Sequence, residues 1–154
     1  MLREKLNDSL KTSLKGGHKR ALSTVRLILA AIKDRDIAAR TKGNPEGISD
    51  ADILQALQTM VKQRLESIKL YEQGGRPELA QQEAEEIAII EGFLPRRMTD
   101  AEMAEAIKAV AAELGDGGLK AMGRGMALLR ERHAGQMDFT RASALLKDAL
   151  ARPG

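Results

Sequence analysis

Apolar residues recur along this chain at spacings of three and four, and nowhere do they alternate with period two over a useful length. That is the signature of amphipathic helices, so an all-α fold is expected. Leu2, Leu6, Leu10 and Leu14 form one stripe and place a helix over 2–15, stopped by Gly16-Gly17. Leu22, Val25, Leu29 and Ile32, with Ile28 beside them, mark a second helix over 18–40. The stretch from Gly43 to Gly47, around Pro45, is a loop by composition. Ser49 is placed to cap a third helix that runs to about Gln73, with Asp50 and Asp52 complementing its dipole. Leu54, Leu57, Val61 and Ile68 mark its apolar face.

Gly74-Gly75 ends that helix, and Pro77 stands where a first-turn proline opens a fourth. Leu79, Ile87 and Ile90 give its stripe, and Pro95 limits its end. The segment from Phe93 to Met98 is the expected boundary. Thr99 and Glu102 then form a capping box for a fifth helix striped by Met103, Ile107, Val110 and Leu114. Gly115 to Gly118 predicts a turn. Leu119, Met122, Met126 and Leu129 mark a sixth helix, and Asp138 is placed to cap a seventh that buries Ala142, Leu145, Leu146 and Ala149. The expected architecture is an N-terminal four-helix unit over 1–95 followed by a small three-helix C-terminal unit over 96–154.

Composition narrows the chemistry. Aromatics make up only 2% of residues, so the core must be built from Leu, Ile, Val, Met and Ala. There is no cysteine, which excludes disulfides, thiolate catalysis and zinc–thiolate sites. His18 and His133 lie far apart, each without a neighbouring ligand, and no metal or cofactor is expected. No nucleophile elbow, phosphate loop or dinucleotide fingerprint occurs, and no catalytic set can be named. Residues 1–15 lack the apolar core of a signal peptide, and no apolar run approaches the ~20 residues that span a bilayer. No membrane association and a cytoplasmic location are the expectation.

Charge is unevenly distributed. Residues 1–45 hold 11 Lys/Arg against 4 Asp/Glu, residues 46–95 hold 4 against 10, and residues 96–154 hold 10 against 8. A basic end suits a polyanion. Equally, basic and acidic helices can pack side by side and neutralise each other.

Some residues break the apolar stripes. Arg26 and Arg64 fall at helical spacing from Leu22, Leu29, Val61 and Ile68, while Glu83 and Glu86 do so from Leu79, Ile87 and Ile90. Buried Arg and Glu are rare unless paired, so Arg26 or Arg64 is expected to bond Glu83 or Glu86. Such a pair either pins helix register or lines a charged pocket. Gly123 and Gly125, inside the sixth helix, each cost about 1 kcal/mol against alanine. Close helix packing or the approach of a ligand backbone would explain them. Around them stand Lys120, Arg124, Arg130, Arg132 and Arg141, either a solvated basic face or a phosphate-contacting one.

Four pieces of sequence together resemble the YqeY-like (GatB/YqeY) family. They are Ser23-Thr24-Val25-Arg26 with Ala30-Ala31-Ile32-Lys33; the run KQRLESIKLYEQGGRPELAQQE from Lys62 to Glu83; Phe93-Leu94-Pro95; and Met122-Gly123 with Met126, Gly135 and Asp138. The resemblance implies a helical N-terminal unit and a C-terminal unit similar to the tail domain of the GatB component of the glutamyl/aspartyl-tRNA amidotransferase, the part associated with tRNA recognition. It brings the family label of carbon–nitrogen ligase activity with glutamine as amido-N-donor, although the amidotransferase's catalytic parts have no counterpart here. Where the family often reads Gly-Arg-Ala-Asp-Gly-Lys, this chain has Gly135-Gln136-Met137-Asp138-Phe139-Thr140, losing two basic residues and a glycine. The expected function is a non-catalytic accessory module that binds tRNA or other RNA through Lys120, Arg124, Arg130, Arg132 and Arg141, with the basic N-terminal helices as a secondary surface. The rival expectation is an adaptor that docks on a translation-related enzyme through a methionine-rich sixth helix.

Overall fold

A computed structural model describes residues 1–151; positions 152–154, the end of the expected second unit, lie outside the described residues. The described chain is all-helical: α1 (Leu2–Gly16), α2 (Lys19–Thr41), α3 (Asp50–Gln73), α4 (Pro77–Glu91), α5 (Asp100–Leu114), α6 (Met122–Arg132) and α7 (Phe139–Ala151). A 3-10 segment, Gly115–Ala121, precedes α6. Chain contacts divide the molecule into two units, Met1–Pro95 and the residues from Arg96 onward.

In the first unit α3 and α4 form a hairpin, α1 lies on α2, and α2 also packs on α4. Leu6, Ile28, Ile53, Leu57 and Ile90, drawn from all four helices, are wholly removed from water. Each such side chain contributes roughly 1.5–3 kcal/mol by its burial. The Ser49 hydroxyl accepts from Asp52 N–H, as the sequence suggests for the start of α3. The buried arc of α3 is rotated slightly from its expected stripe: Ile53, Ala56, Leu57 and Met60 are buried, whereas Leu54 and Val61 are half-buried. Leu14 stands exposed, so the α1 stripe ends a turn early.

One ion pair clamps the loop after α2. Arg3 donates to both carboxylate oxygens of Asp36, at 2.7 and 2.8 Å, and to the Ile48 carbonyl. Asp36 also accepts from Ile48 N–H at 2.8 Å. The Arg3 guanidinium, then the Ile48 amide, hold the Asp36 carboxyl down at about 2. Gly47 has φ 90°, and a Cβ there would lie 2.6 Å from Asp36 Oδ1, so only glycine fits.

The charges on the apolar stripes separate into two cases. Arg64 Nε donates to Glu86 Oε2 at 2.8 Å and lies 3.9 Å from Glu83 Oε2, with all three side chains largely buried. Arg64 also donates to the Met60 carbonyl. Arg26 corrects the expectation. It is exposed and joins no ion pair among the described residues. The reason is angular: α2 buries Thr24, Val25, Ile28 and Ile32, and Arg26 lies about 100° around the helix from Val25. Thr24 Oγ1 is itself buried without a hydrogen-bond partner among the described residues.

The second unit packs α5, α6 and α7 around Met103, Ile107, Val110, Met126, Leu129, Met137, Ala142 and Leu146. The capping box of Thr99 and Glu102 is formed, and Asp138 Oδ1 accepts from Thr140 N–H at the start of α7. The predicted turn after Leu114 is a 3-10 segment. Gly118, at φ 58° and ψ −149°, breaks the helical path, so α6 starts at Met122 and leaves Leu119 outside it, exposed. In the loop before α7, Met137 fills the core and Phe139, at the start of the helix, packs against it.

The two glycines of α6 differ. A Cβ on Gly125 would meet Leu146 Cδ2 at 2.6 Å and Leu114 Cδ1 at 3.0 Å, so helix packing accounts for it. A Cβ on Gly123 would meet nothing within 4 Å. Leu146 is fully buried, and both its Cδ2 and Leu114 Cδ1 would have to shift. Gly125→Ala is therefore expected to destabilise by about 1–3 kcal/mol despite its better helix propensity. Gly123→Ala is expected to stabilise by about 0.5–1 kcal/mol. Chemical denaturation followed by circular dichroism checks the pair, and equal signs would contradict the packing account.

Arg64→Met leaves two neighbouring carboxylates without their cation and is expected to cost about 1–3 kcal/mol at neutral pH. The Glu83 carboxyl already titrates above its ordinary range, raised first by burial and then by Glu86. A carboxyl raised in the folded state destabilises once ionised and ceases to do so when protonated in both states. The deficit of the variant should thus shrink as pH falls from about 7 towards the ordinary glutamate range near 4.5. A deficit constant across that window would place the loss in packing rather than charge.

Candidate nucleic-acid interface

Lys120, Arg124, Arg130, Arg132 and Arg141 all lie in the second unit, but the structure does not gather them on one open face. Arg132, in the last turn of α6, is held by a two-pronged ion pair with Glu113 of α5; its Nη2 donates to Oε1 at 2.9 Å. Arg141 of α7 donates to Asp100 Oδ1, in the first turn of α5, at 2.7 Å. Arg130 lies over the Phe139 ring of α7, its guanidinium carbon 5.9 Å from the centroid. A cation over a ring keeps its full charge but gains a fixed position. Arg130 and Arg132 thus engage α7 and α5, on opposite flanks of α6.

Lys120 and Arg124 remain exposed and without an ion pair among the described residues. Glu113 is pulled below its ordinary range first by the Arg132 hydrogen bond, with Arg124 adding a smaller electrostatic contribution. Arg96 is matched to Glu102 at 2.6 Å, and this pair with the capping box brings the Glu102 carboxyl down to about 2. Among the described residues, three of the nine Lys/Arg side chains of this unit, Arg96, Arg132 and Arg141, are thus matched to carboxylates. The methionines are also committed inward: Met126 is buried, and Met122 packs against the same core.

Residues 1–45 leave a larger share of their cations unpaired. Arg3 pairs with Asp36, and Arg20 on α2 bonds Glu85 on α4 at 3.3 Å. The other nine Lys/Arg side chains of residues 1–45 form no ion pair among the described residues. Among the described residues, side-chain ion pairing between the basic and the acidic helices is thus seen at Arg20 with Glu85. On α2, Lys19, Arg26, Lys33 and Arg40 recur every seven residues, and all four are exposed. Seven residues are nearly two helical turns, so they form one row. The recurrence is visible in the sequence. What the sequence does not show is which cations already have partners.

A shallow depression lies at the start of α2, lined by Lys19, Arg20, Ser23 and Glu85. Among the described residues no three His, Cys, Asp or Glu side chains gather as a metal ion requires, and no helix is long and apolar enough to cross a membrane.

A search of curated proteins returned no match. The profile of the YqeY-like protein family matches residues 3–150, almost the full length, and this chain belongs to that family.

Proposed function

We propose that this chain is a non-catalytic accessory module that binds tRNA or another RNA through its phosphate backbone. The observation that carries this reading is the excess of unpaired cations along α1, α2 and the start of the loop that follows. Nine stand there outside any ion pair, while Glu4, Asp8 and Asp34 are the only acids of residues 1–45 in the same condition. Lysines and arginines held apart from carboxylates are what neutralise phosphates and release their counterions. In the second unit, Lys120, Arg124 and the ring-seated Arg130 add to this, whereas Arg132 and Arg141 are engaged by Glu113 and Asp100. The resemblance to the GatB tail that the sequence motifs of that unit suggest is the ground for naming tRNA as the RNA class and for a cytoplasmic, translation-related setting. The adaptor reading is given less weight, since Met126 of α6 is buried and Met122 packs half-buried against the same core. Amide transfer from glutamine forms no part of the proposal.

Filter binding of bulk tRNA at about 50 and 200 mM salt tests it. Binding should weaken steeply, with log K falling linearly in log salt in proportion to the phosphates neutralised. No retention of tRNA at the lower salt would end the reading.

A further inference from the structure

The row on α2 has a geometry of its own. At about 1.5 Å per residue, Lys19, Arg26, Lys33 and Arg40 stand roughly 10.5 Å apart along a line of about 31 Å. Seven residues fall about 20° short of two turns, so the row drifts by only about 60° from end to end. Ala30 and Ile37 share this arc, and no acidic residue does. Asp36 flanks the Arg40 end of the row, where Arg40 adds a small electrostatic contribution, but its hydrogen bonds go to Arg3 and Ile48; Asp34 sits about 60° around from Ile37 on the other side. None of the four cations makes a side-chain hydrogen bond or ion pair among the described residues. The opposite arc of α2 is fixed by burial of Thr24, Val25, Ile28 and Ile32, so the row cannot turn inward.

We propose that this row is the principal phosphate-contact surface, and that its partner is a double-helical segment of RNA. This rests on the RNA-binding reading above and assigns both the surface and the form of the ligand. A stiff, straight helix with evenly spaced cations matches a polyanion that is itself stiff. Single-strand binders add aromatic platforms on which bases stack. The chain has only Tyr71, Phe93 and Phe139 as aromatic residues, and none is on α2. The arc also holds no Asn or Gln to read base edges, which fits recognition by shape and backbone, as is usual for duplex RNA. An acidic partner helix is disfavoured by the same surface. It would need apolar anchors at helical spacing beside the charges, yet Leu29 packs into the core and Ile37 alone of the larger apolar residues on the arc is strongly exposed.

Salt titrations of the full chain test this with an RNA duplex of about 20 base pairs, a single strand of equal length and poly-glutamate. Two matched variants are compared: Arg26→Gln with Lys33→Gln on the row, and Lys62→Gln with Lys69→Gln, two exposed cations of α3. The row variant should bind duplex at least about tenfold more weakly at low salt, with a salt slope shallower by about two, one per lost contact. The α3 variant should keep the parent slope, and unchanged circular dichroism in both shows that the fold persists. If the parent binds no RNA, the functional reading itself fails. If it binds but the two variants behave alike, the row is the wrong surface and the functional reading stands. Single-strand binding as tight as duplex binding would overturn the assignment of the duplex. Tighter binding of poly-glutamate would overturn the assignment to nucleic acid.

Discussion

Leu6, Ile28, Ile53, Leu57 and Ile90 meet where four helices converge, and each is wholly withdrawn from water. With aromatics at 2% of the chain, the centre is filled by aliphatic side chains, with Phe93 packed partly buried against them, so the helices must approach closely. That constraint orients α2, which is contacted by α1, α3 and α4. Whatever α2 shows to solvent is confined to the arc that those neighbours leave open, and on that arc stand Lys19, Arg26, Lys33 and Arg40. A cationic edge on the first unit is therefore a consequence of how its core is filled.

The two units handle charge differently. In the second, cations serve the packing of short helices: Arg132 ties α6 to α5, Arg141 ties α7 to α5, and Arg130 rests on the Phe139 ring. Exposed pairs of this kind add little stability individually, but they remove positive charge from the surface available to a ligand. In the first unit the interior polar contact is concentrated at Arg64, Glu83 and Glu86, between α3 and α4. The three side chains are largely buried, and the contact joins α3 to α4.

Much of the fold was legible in the sequence because each helix announces itself locally. The caps at Ser49, Thr99 and Asp138 and the breaks at Gly16-Gly17 and Gly74-Gly75 need only neighbouring residues to be recognised. The start of α6 was less legible: Leu119 continues its apolar spacing, but the backbone at Gly118 departs from the helix before it. The binding surface was the least legible part. Glu113 lies 19 residues before Arg132, and Asp100 lies 41 before Arg141, so nothing local marks those cations as engaged. Arg26 and Arg64 hold the same apparent place on apolar stripes. Only tertiary packing sends one to solvent and the other to Glu86. Thr24 is the opposite case, a polar side chain buried where nothing among the described residues bonds its hydroxyl.

The clamp at Ile48 has a bearing on how this connection can vary in length. Both backbone polar groups of that residue are satisfied by side chains, the amide by Asp36 and the carbonyl by Arg3, in the manner of an adjacent strand. The turn from Gly43 to Glu46 faces solvent and is held mainly by Asn44. Insertions and deletions are thus tolerable in that turn, where few contacts oppose them. One residue more or fewer at Gly47 or Ile48 would unseat α1 together with the loop, coupling two segments that are more than thirty residues apart in the chain.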